Sequence, residues 1–144
     1  MPTIINDNFN PEKVALAGSN LIEASAGTGK TYSIALLCLR LIVEKHIPIQ
    51  KILMVTFTKA AVAELETRVR AFVRLALKVS RGEHIEDPTI KRLIEKQCDE
   101  QGNDVVRQQL HIAQLFLDET SVLTIHSFCQ RTLSEFSFET KQLF

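Results

Sequence analysis

A run of eight residues near the amino terminus has the composition of a phosphate-binding loop, with Ala replacing the first Gly of the usual pattern. Its two glycines allow a tight turn in which backbone N–H groups converge on phosphate oxygens, and its Lys and Thr supply a positive charge and a metal-binding hydroxyl. The run therefore predicts a site for ATP and Mg²⁺. Its residues are Ala24, Ser25, Ala26, Gly27, Thr28, Gly29, Lys30 and Thr31.

Two residues of this run carry the predicted chemistry. Lys30 is placed to contact the β- and γ-phosphates, and the hydroxyl of Thr31 is placed to bind Mg²⁺, so both are candidate catalytic residues. The alternative is a glycine-containing turn between a strand and a helix that binds nothing.

Two later segments each combine hydroxyl groups with an aromatic residue, a combination compatible with a nucleic-acid ligand. They are VTFTKAAVAELETRV at Val55 to Val69 and LTIHSFCQRTL at Leu123 to Leu133. Each residue also has a simpler interpretation: a strand end or helix cap for the first two threonines, a core position for the phenylalanines, and a structural role for the histidine. The polar and aromatic residues concerned are Thr56, Phe57, Thr58, Thr124, His126 and Phe128.

The elements that must position these residues follow from hydrophobic periodicity. Three short apolar runs predict buried strands, and longer stretches with helical spacing lie between them. The pattern indicates an α/β fold with a mostly parallel sheet and flanking helices, in which each motif follows the carboxyl end of a strand. The predicted strands are Leu21–Ala24, Lys51–Phe57 and Ser121–Ile125, and the main predicted helices are Thr31–His46, Lys59–Val79, Asp104–Leu117 and Phe128–Phe136.

The segment between the second and third predicted strands, residues 81–120, is interpreted as a helical insertion. It contains a polar stretch with a short exposed helix after Pro88. An Asp118-Glu119 pair follows an apolar run and superficially resembles the acidic metal-binding motif of nucleotide hydrolases. We reject that interpretation, because the preceding residues have helical spacing and the next strand starts too soon for a parallel crossover.

Composition restricts the possibilities further. Lys plus Arg and Asp plus Glu both number 17, so any nucleic-acid contact must be local rather than the product of a basic surface. The 3 cysteines have no metal-binding or disulfide spacing, which is typical of a protein in the reducing cytoplasm. Neither a secretory leader nor a membrane-spanning run is expected.

The three motifs together resemble the UvrD/Rep-type superfamily 1 helicases, and IEASAGTGKT and TIHSFCQR are most similar to its RecB-like members. The resemblance implies a P-loop NTPase (RecA-like) fold, with residues 1–144 as the amino-terminal part of the first motor domain. It also implies ATP, Mg²⁺ and DNA as ligands, with DNA contacts from Thr56, Phe57, Thr58, Thr124, His126 and Phe128. RecC- and RecD-like subunits are the implied partners. The implied activity of the intact protein is ATP-dependent DNA unwinding and exonuclease activity in double-strand-break repair and recombination.

The chain departs from this family by omission. The acidic metal-binding motif, the arginine fingers and the second RecA-like domain are absent, and no adenine-reading Gln precedes the phosphate loop. We therefore expect the isolated chain to bind nucleotide without unwinding DNA. The alternatives are a stand-alone nucleotide-binding module, a small NTPase using Asp118 and Glu119, and a purely structural fragment.

Overall fold

The computed structural model describes residues 9–24 and 29–137, which form helices packed around a short parallel sheet. The part of the chain so described contains two strands and five α-helices, with a 3₁₀ turn before each strand. In chain order they are α1 (Lys30–Lys45), β1 (Leu53–Thr56), α2 (Lys59–Ser80), α3 (Pro88–Gln101), α4 (Asn103–Leu115), β2 (Ser121–Thr124) and α5 (Ile125–Glu135).

The strands β1 and β2 are parallel, which confirms the predicted α/β class. Three helices, α2 to α4, make the crossover between them. Met54 and Val122 are paired in register and buried against the helices, whereas Leu53 and Val55 on the opposite face of β1 are 48% and 41% exposed. Successive side chains of a strand point to opposite faces, so the helices of the described residues cover one face of this sheet and leave the other exposed.

The core lies between the helices and is centred on α2, which packs against α1, α3 and α4. Full burial of one large aliphatic side chain contributes roughly 1.5–3 kcal/mol, so this cluster accounts for most of the fold's hydrophobic stabilisation. Its most completely buried side chains include Leu36, Leu39, Val43, Val73, Ile90, Ile94, Val106 and Leu110.

One predicted strand is absent. Residues Leu21–Ala24 have no regular structure, and Leu21 is 88% exposed. An apolar run shows that a segment can be buried, but a strand also needs a neighbouring strand to pair its backbone groups. Within the described residues β1 and β2 pair with each other, so the prediction for this segment was wrong.

The helical insertion is better packed than the sequence indicated. α3 has 14 residues, and Ile90 and Ile94 on it are completely buried, so the prediction of a short exposed helix was wrong. Polar residues dominate its composition because only one narrow face meets the core.

α5 also begins at Ile125, three residues before the predicted start.

The segment before the phosphate loop, residues 9–20, is called the lead-in. Arg40, which is only 7% exposed, fixes it to the helices. Nη1 of this side chain donates to the carbonyl oxygens of Pro11 and Val14, both at 2.8 Å, and its guanidinium pairs with Glu44 at 3.0 Å. This irregular segment is thus held by a buried charge. No helix among residues 9–24 and 29–137 has the length and apolar character needed to cross a membrane.

Candidate nucleotide-binding and nucleic-acid interface

The phosphate-loop motif is partly within the described residues. Ser25, Ala26, Gly27 and Thr28 lie outside them, whereas Ala24 and the last three residues of the motif are described. Gly29 has φ 77° and ψ 32°, a left-handed conformation that glycine adopts without the strain of a Cβ atom, and it is the residue from which α1 starts. The motif therefore leads directly into a helix amino terminus.

The amino terminus of α1 has features that favour a bound anion. Lys30 is exposed and Thr31 is half-buried in the first turn, which contains no acidic residue. Gly29 offers no side-chain cap to the free N–H groups of this turn. The first N–H groups of a helix need acceptors, and the helix dipole favours negative charge there. Phosphate oxygens would satisfy both requirements.

The amino termini of α2 and α5 differ because side chains cap them. Thr58 Oγ1 accepts a hydrogen bond from Ala61 N at 3.1 Å, and Thr124 Oγ1 accepts one from Ser127 N at 3.1 Å. The helix-cap alternative for Thr58 is therefore confirmed as one role of its hydroxyl. A capping oxygen keeps its second lone pair, so this role leaves it able to accept another hydrogen bond.

The two later motifs meet at one edge of the sheet. Thr56 and Thr124 are register partners at the carboxyl ends of β1 and β2, so the residues that follow them begin side by side. Thr56 is half-buried, while Phe57 is 84% exposed. His126 is exposed. Parallel strands place their following loops at the same edge, which is where open α/β sheets bind ligands.

The aromatic residues at this edge do not share one environment. Phe57 has most of its surface in solvent, so the core alternative is wrong for it. Phe128 lies half-buried in the first turn of α5, consistent with a partial contribution to packing. A large exposed aromatic side chain has a free π-face, the feature on which single-stranded bases stack.

The Asp118-Glu119 pair lies on a 3₁₀ turn ahead of β2 rather than at the carboxyl end of a strand. Asp118 forms an ion pair with Arg70, and its side chain is 88% exposed. This position agrees with the sequence-based rejection of a catalytic role for the pair. Among the described residues, no cluster of three or more His, Cys, Asp or Glu side chains could hold a metal ion.

One contact beside the phosphate motif was missed by the sequence analysis. The Tyr32 hydroxyl donates to the Asp87 carboxylate, with O–O distances of 2.9 and 3.1 Å, and its ring meets Phe72 edge-on at a centroid distance of 5.1 Å. Burial and the hydrogen bond to Asp87 raise the pKa of Tyr32 to about 12. The signal available in the sequence was Asp87-Pro88, a typical helix start.

An open groove of about 580 Å³ lies beside this contact, between α2, the first turn of α1 and the start of α3. Its wall is mainly apolar and also includes charged side chains. The lining residues are Tyr32, Ala63, Glu64, Thr67, Arg68, Ala71, Phe72, Leu75 and Asp87.

Comparison with known proteins gives a consistent assignment. The sequence profile of the UvrD/REP helicase N-terminal domain matches residues 6–143. The RecBCD enzyme subunit RecB of Escherichia coli K12 is 38% identical over 148 residues, a match that covers 97% of this chain and 12% of that protein. The corresponding subunit of Chlamydia trachomatis is 35% identical over 130 residues, covering 90% of this chain and 12% of the relative. The chain thus spans about one eighth of the length of these relatives.

Proposed function

This chain belongs to the UvrD/REP helicase N-terminal domain family, and from that premise we propose that it forms the nucleotide-binding part of a RecB-like, ATP-dependent DNA helicase. The observation that carries the proposal is the amino terminus of α1, where Gly29, Lys30 and Thr31 present uncapped N–H groups, a cation and a hydroxyl together. This combination suits a nucleoside triphosphate with its metal ion.

In this proposal the whole motif from Ala24 to Thr31 surrounds the phosphates. Lys30 neutralises charge on the β- and γ-phosphates, and the Thr31 hydroxyl is a ligand of Mg²⁺. The proposed ATP contacts of Ser25, Ala26, Gly27 and Thr28 rest on the sequence motif and the family. The bound metal would stabilise negative charge that develops on the phosphates during hydrolysis.

The sheet edge formed by β1 and β2 is the proposed DNA-binding surface. The amino termini of α2 and α5 lie there, and although Thr58 and Thr124 each cap one N–H group, the helix dipoles still favour phosphate groups. Phe57 offers a face for stacking a base. The hydroxyl groups can donate and accept hydrogen bonds with the DNA backbone, which is the same for every base sequence. The proposed contacts are Thr56, Phe57, Thr58, Thr124, His126 and Phe128.

We assign residues 1–144 to the first RecA-like domain and residues 81–120, which include α3 and α4, to a helical insertion within it. In the longer protein, the coordinated movement of two such domains would couple ATP hydrolysis to DNA unwinding in double-strand-break repair and recombination. Exonuclease activity and RecC- and RecD-like partner subunits belong to the same proposal. The isolated chain is expected to bind nucleotide without turnover.

Nucleotide binding is tested by titrating a fluorescent ATP analogue with Mg²⁺ into the chain and its Lys30→Ala variant, while phosphate release is followed. Saturable binding by the natural chain that the variant loses, without phosphate release, supports the proposal. Absence of binding by the folded natural chain contradicts it. Phosphate release that Asp118→Asn abolishes would instead identify a small complete NTPase.

DNA binding is tested with a labelled single-stranded oligonucleotide and the Phe57→Ala variant. Stacking of one base contributes about 1–3 kcal/mol, so the dissociation constant should rise at least about 5-fold. Leu115→Ala is the matched control, because Leu115 is also a large apolar side chain and is 79% exposed on α4. Equal effects of the two substitutions would contradict a specific role for Phe57.

A further inference from the structure

Side-chain hydrogen bonds attach α3 and its cap residue Asp87 to α1 near each end of α1. Near the phosphate motif, the Tyr32 hydroxyl donates to Asp87. At the far end, Gln101 Nε2 donates to the Val43 carbonyl oxygen at 2.8 Å. Val43 lies eleven positions after Tyr32 on α1, so the two attachment points are about 16 Å apart at the helical rise.

The attachment near the motif is anchored in the cap of α3. Oδ1 of Asp87 accepts hydrogen bonds from the backbone N–H groups of Thr89 at 2.9 Å and Ile90 at 3.0 Å. Because these bonds fix the carboxylate, the acceptor of the Tyr32 hydroxyl is held in place by the amino terminus of α3. The Asp87 side chain thus forms hydrogen bonds with both α1 and α3.

The start of α3 also holds the chain on the other side of the motif. The Arg92 guanidinium, one turn into α3, pairs with Glu12 in the lead-in at 3.1 Å. The lead-in precedes the motif and α1 follows it, so one end of α3 is joined to both sides of the proposed nucleotide site.

The first turn of α1 needs such support because it lies outside the core. Its residues from Lys30 to Ile34 are exposed or half-buried, whereas burial begins at Ala35 and Leu36. Helix ends open most readily where few apolar contacts hold them. A turn that must present several N–H groups to one ligand loses affinity when it opens, since only the closed form binds.

We propose that Tyr32 and Asp87 are positioning residues that hold the first turn of α1 in its phosphate-binding form, so that the helical insertion supports the nucleotide site. This inference rests on the proposed nucleotide-binding function. It assigns no contact with the nucleotide to either side chain. The effect should therefore be the same for any ligand that binds through its phosphates.

Two substitutions remove the hydrogen bond while preserving the rest of each residue's role. Tyr32→Phe keeps the ring that packs against Phe72, and Asp87→Ser keeps a good helix cap but is too short to reach the Tyr32 hydroxyl. Gln101→Met is the matched control, because it removes the second bond between the same two helices far from the motif.

The binding assay uses Mg·ATP and, separately, inorganic tripolyphosphate with Mg²⁺. We expect Tyr32→Phe and Asp87→Ser each to lower the affinity for both ligands by the same factor, about 3- to 10-fold. This factor corresponds to the net free energy of one hydrogen bond. The double variant should bind each ligand no less tightly than either single variant, because both substitutions remove the same interaction. Gln101→Met should leave both affinities unchanged. A loss confined to ATP would show that Tyr32 contacts the nucleoside and would overturn the positioning role.

Hydrogen exchange of the unliganded chain separates this inference from the proposed function. Tyr32→Phe should accelerate exchange at the Ser33 amide, whose N–H closes the first turn of α1 by bonding to the Gly29 carbonyl oxygen at 3.0 Å. Gln101→Met should not. Faster exchange without ligand binding by the natural chain would support the attachment and contradict nucleotide binding. Unchanged exchange in Tyr32→Phe would overturn the inference whatever the affinities.

Discussion

Replacement of Arg40 by Met should destabilise the fold far more than replacement of a chemically equivalent arginine on the surface. The Arg40 guanidinium is buried, donates to two backbone carbonyl oxygens of the lead-in and pairs with Glu44 four residues later. Methionine fills much of the same volume without any hydrogen-bond donor. The substitution leaves two carbonyl groups and a mostly buried carboxylate without their partner.

The magnitude follows from these contacts. Removing one member of a buried ion pair costs about 3–5 kcal/mol, and each hydrogen bond to a charged group contributes about 1.5–3 kcal/mol. The lead-in can detach and return its carbonyl groups to water, so we expect about 3–5 kcal/mol rather than the sum. With a urea dependence of about 2 kcal/mol per molar, the unfolding midpoint should fall by about 2 M.

The matched control is Arg131→Met. Arg131 and Glu135 have the same i, i+4 arrangement on α5, with a 2.9 Å ion pair, but their side chains are 57% and 55% exposed rather than 8% and 20%. An exposed helical pair contributes about 0.3–0.5 kcal/mol. Urea unfolding followed by circular dichroism measures both variants. A loss below about 1 kcal/mol for Arg40→Met, or equal losses for the two variants, would refute the reasoning.

Three further predictions concern single side chains. Thr58→Ala should lower the free energy of unfolding by about 1 kcal/mol through loss of the α2 cap, and Thr58→Ser should restore most of it; urea unfolding of both variants measures this. In the folded chain iodoacetamide should modify exposed Cys129 and leave Cys38 intact, because burial raises the pKa of the Cys38 thiol to about 12; mass spectrometry detecting early modification of Cys38 would contradict this. Tyr32 is the only tyrosine, so absorbance at the tyrosinate band should titrate near pH 12 in the folded chain and near pH 10 when unfolded. Because the folded pKa is raised, the stability gained from protonated Tyr32 is complete below pH 10 and is lost as the pH rises towards 12; Asp87→Ser should lower the folded midpoint.

Local patterns in the sequence determined most of the helices and both observed strands. Helical spacing of apolar residues predicted α1, α2 and α4 to within about two residues, because each of these helices buries one face against the core. The short apolar runs that became β1 and β2 were also correctly identified. The motifs at their carboxyl ends, with Thr56 and Thr124, followed from the same local reading and indicated the family.

Tertiary structure decided what local patterns could not specify. Leu21–Ala24 has the composition of a strand, yet pairing depends on a neighbouring strand rather than on the segment itself. The burial of Arg40 depends on a lead-in more than 25 residues earlier in the chain. Tyr32 and Asp87 are 55 residues apart in sequence and meet only because α3 packs beside α1. Composition and spacing specify which face of an element is apolar, whereas the partner of each polar group is set by the packing of distant elements.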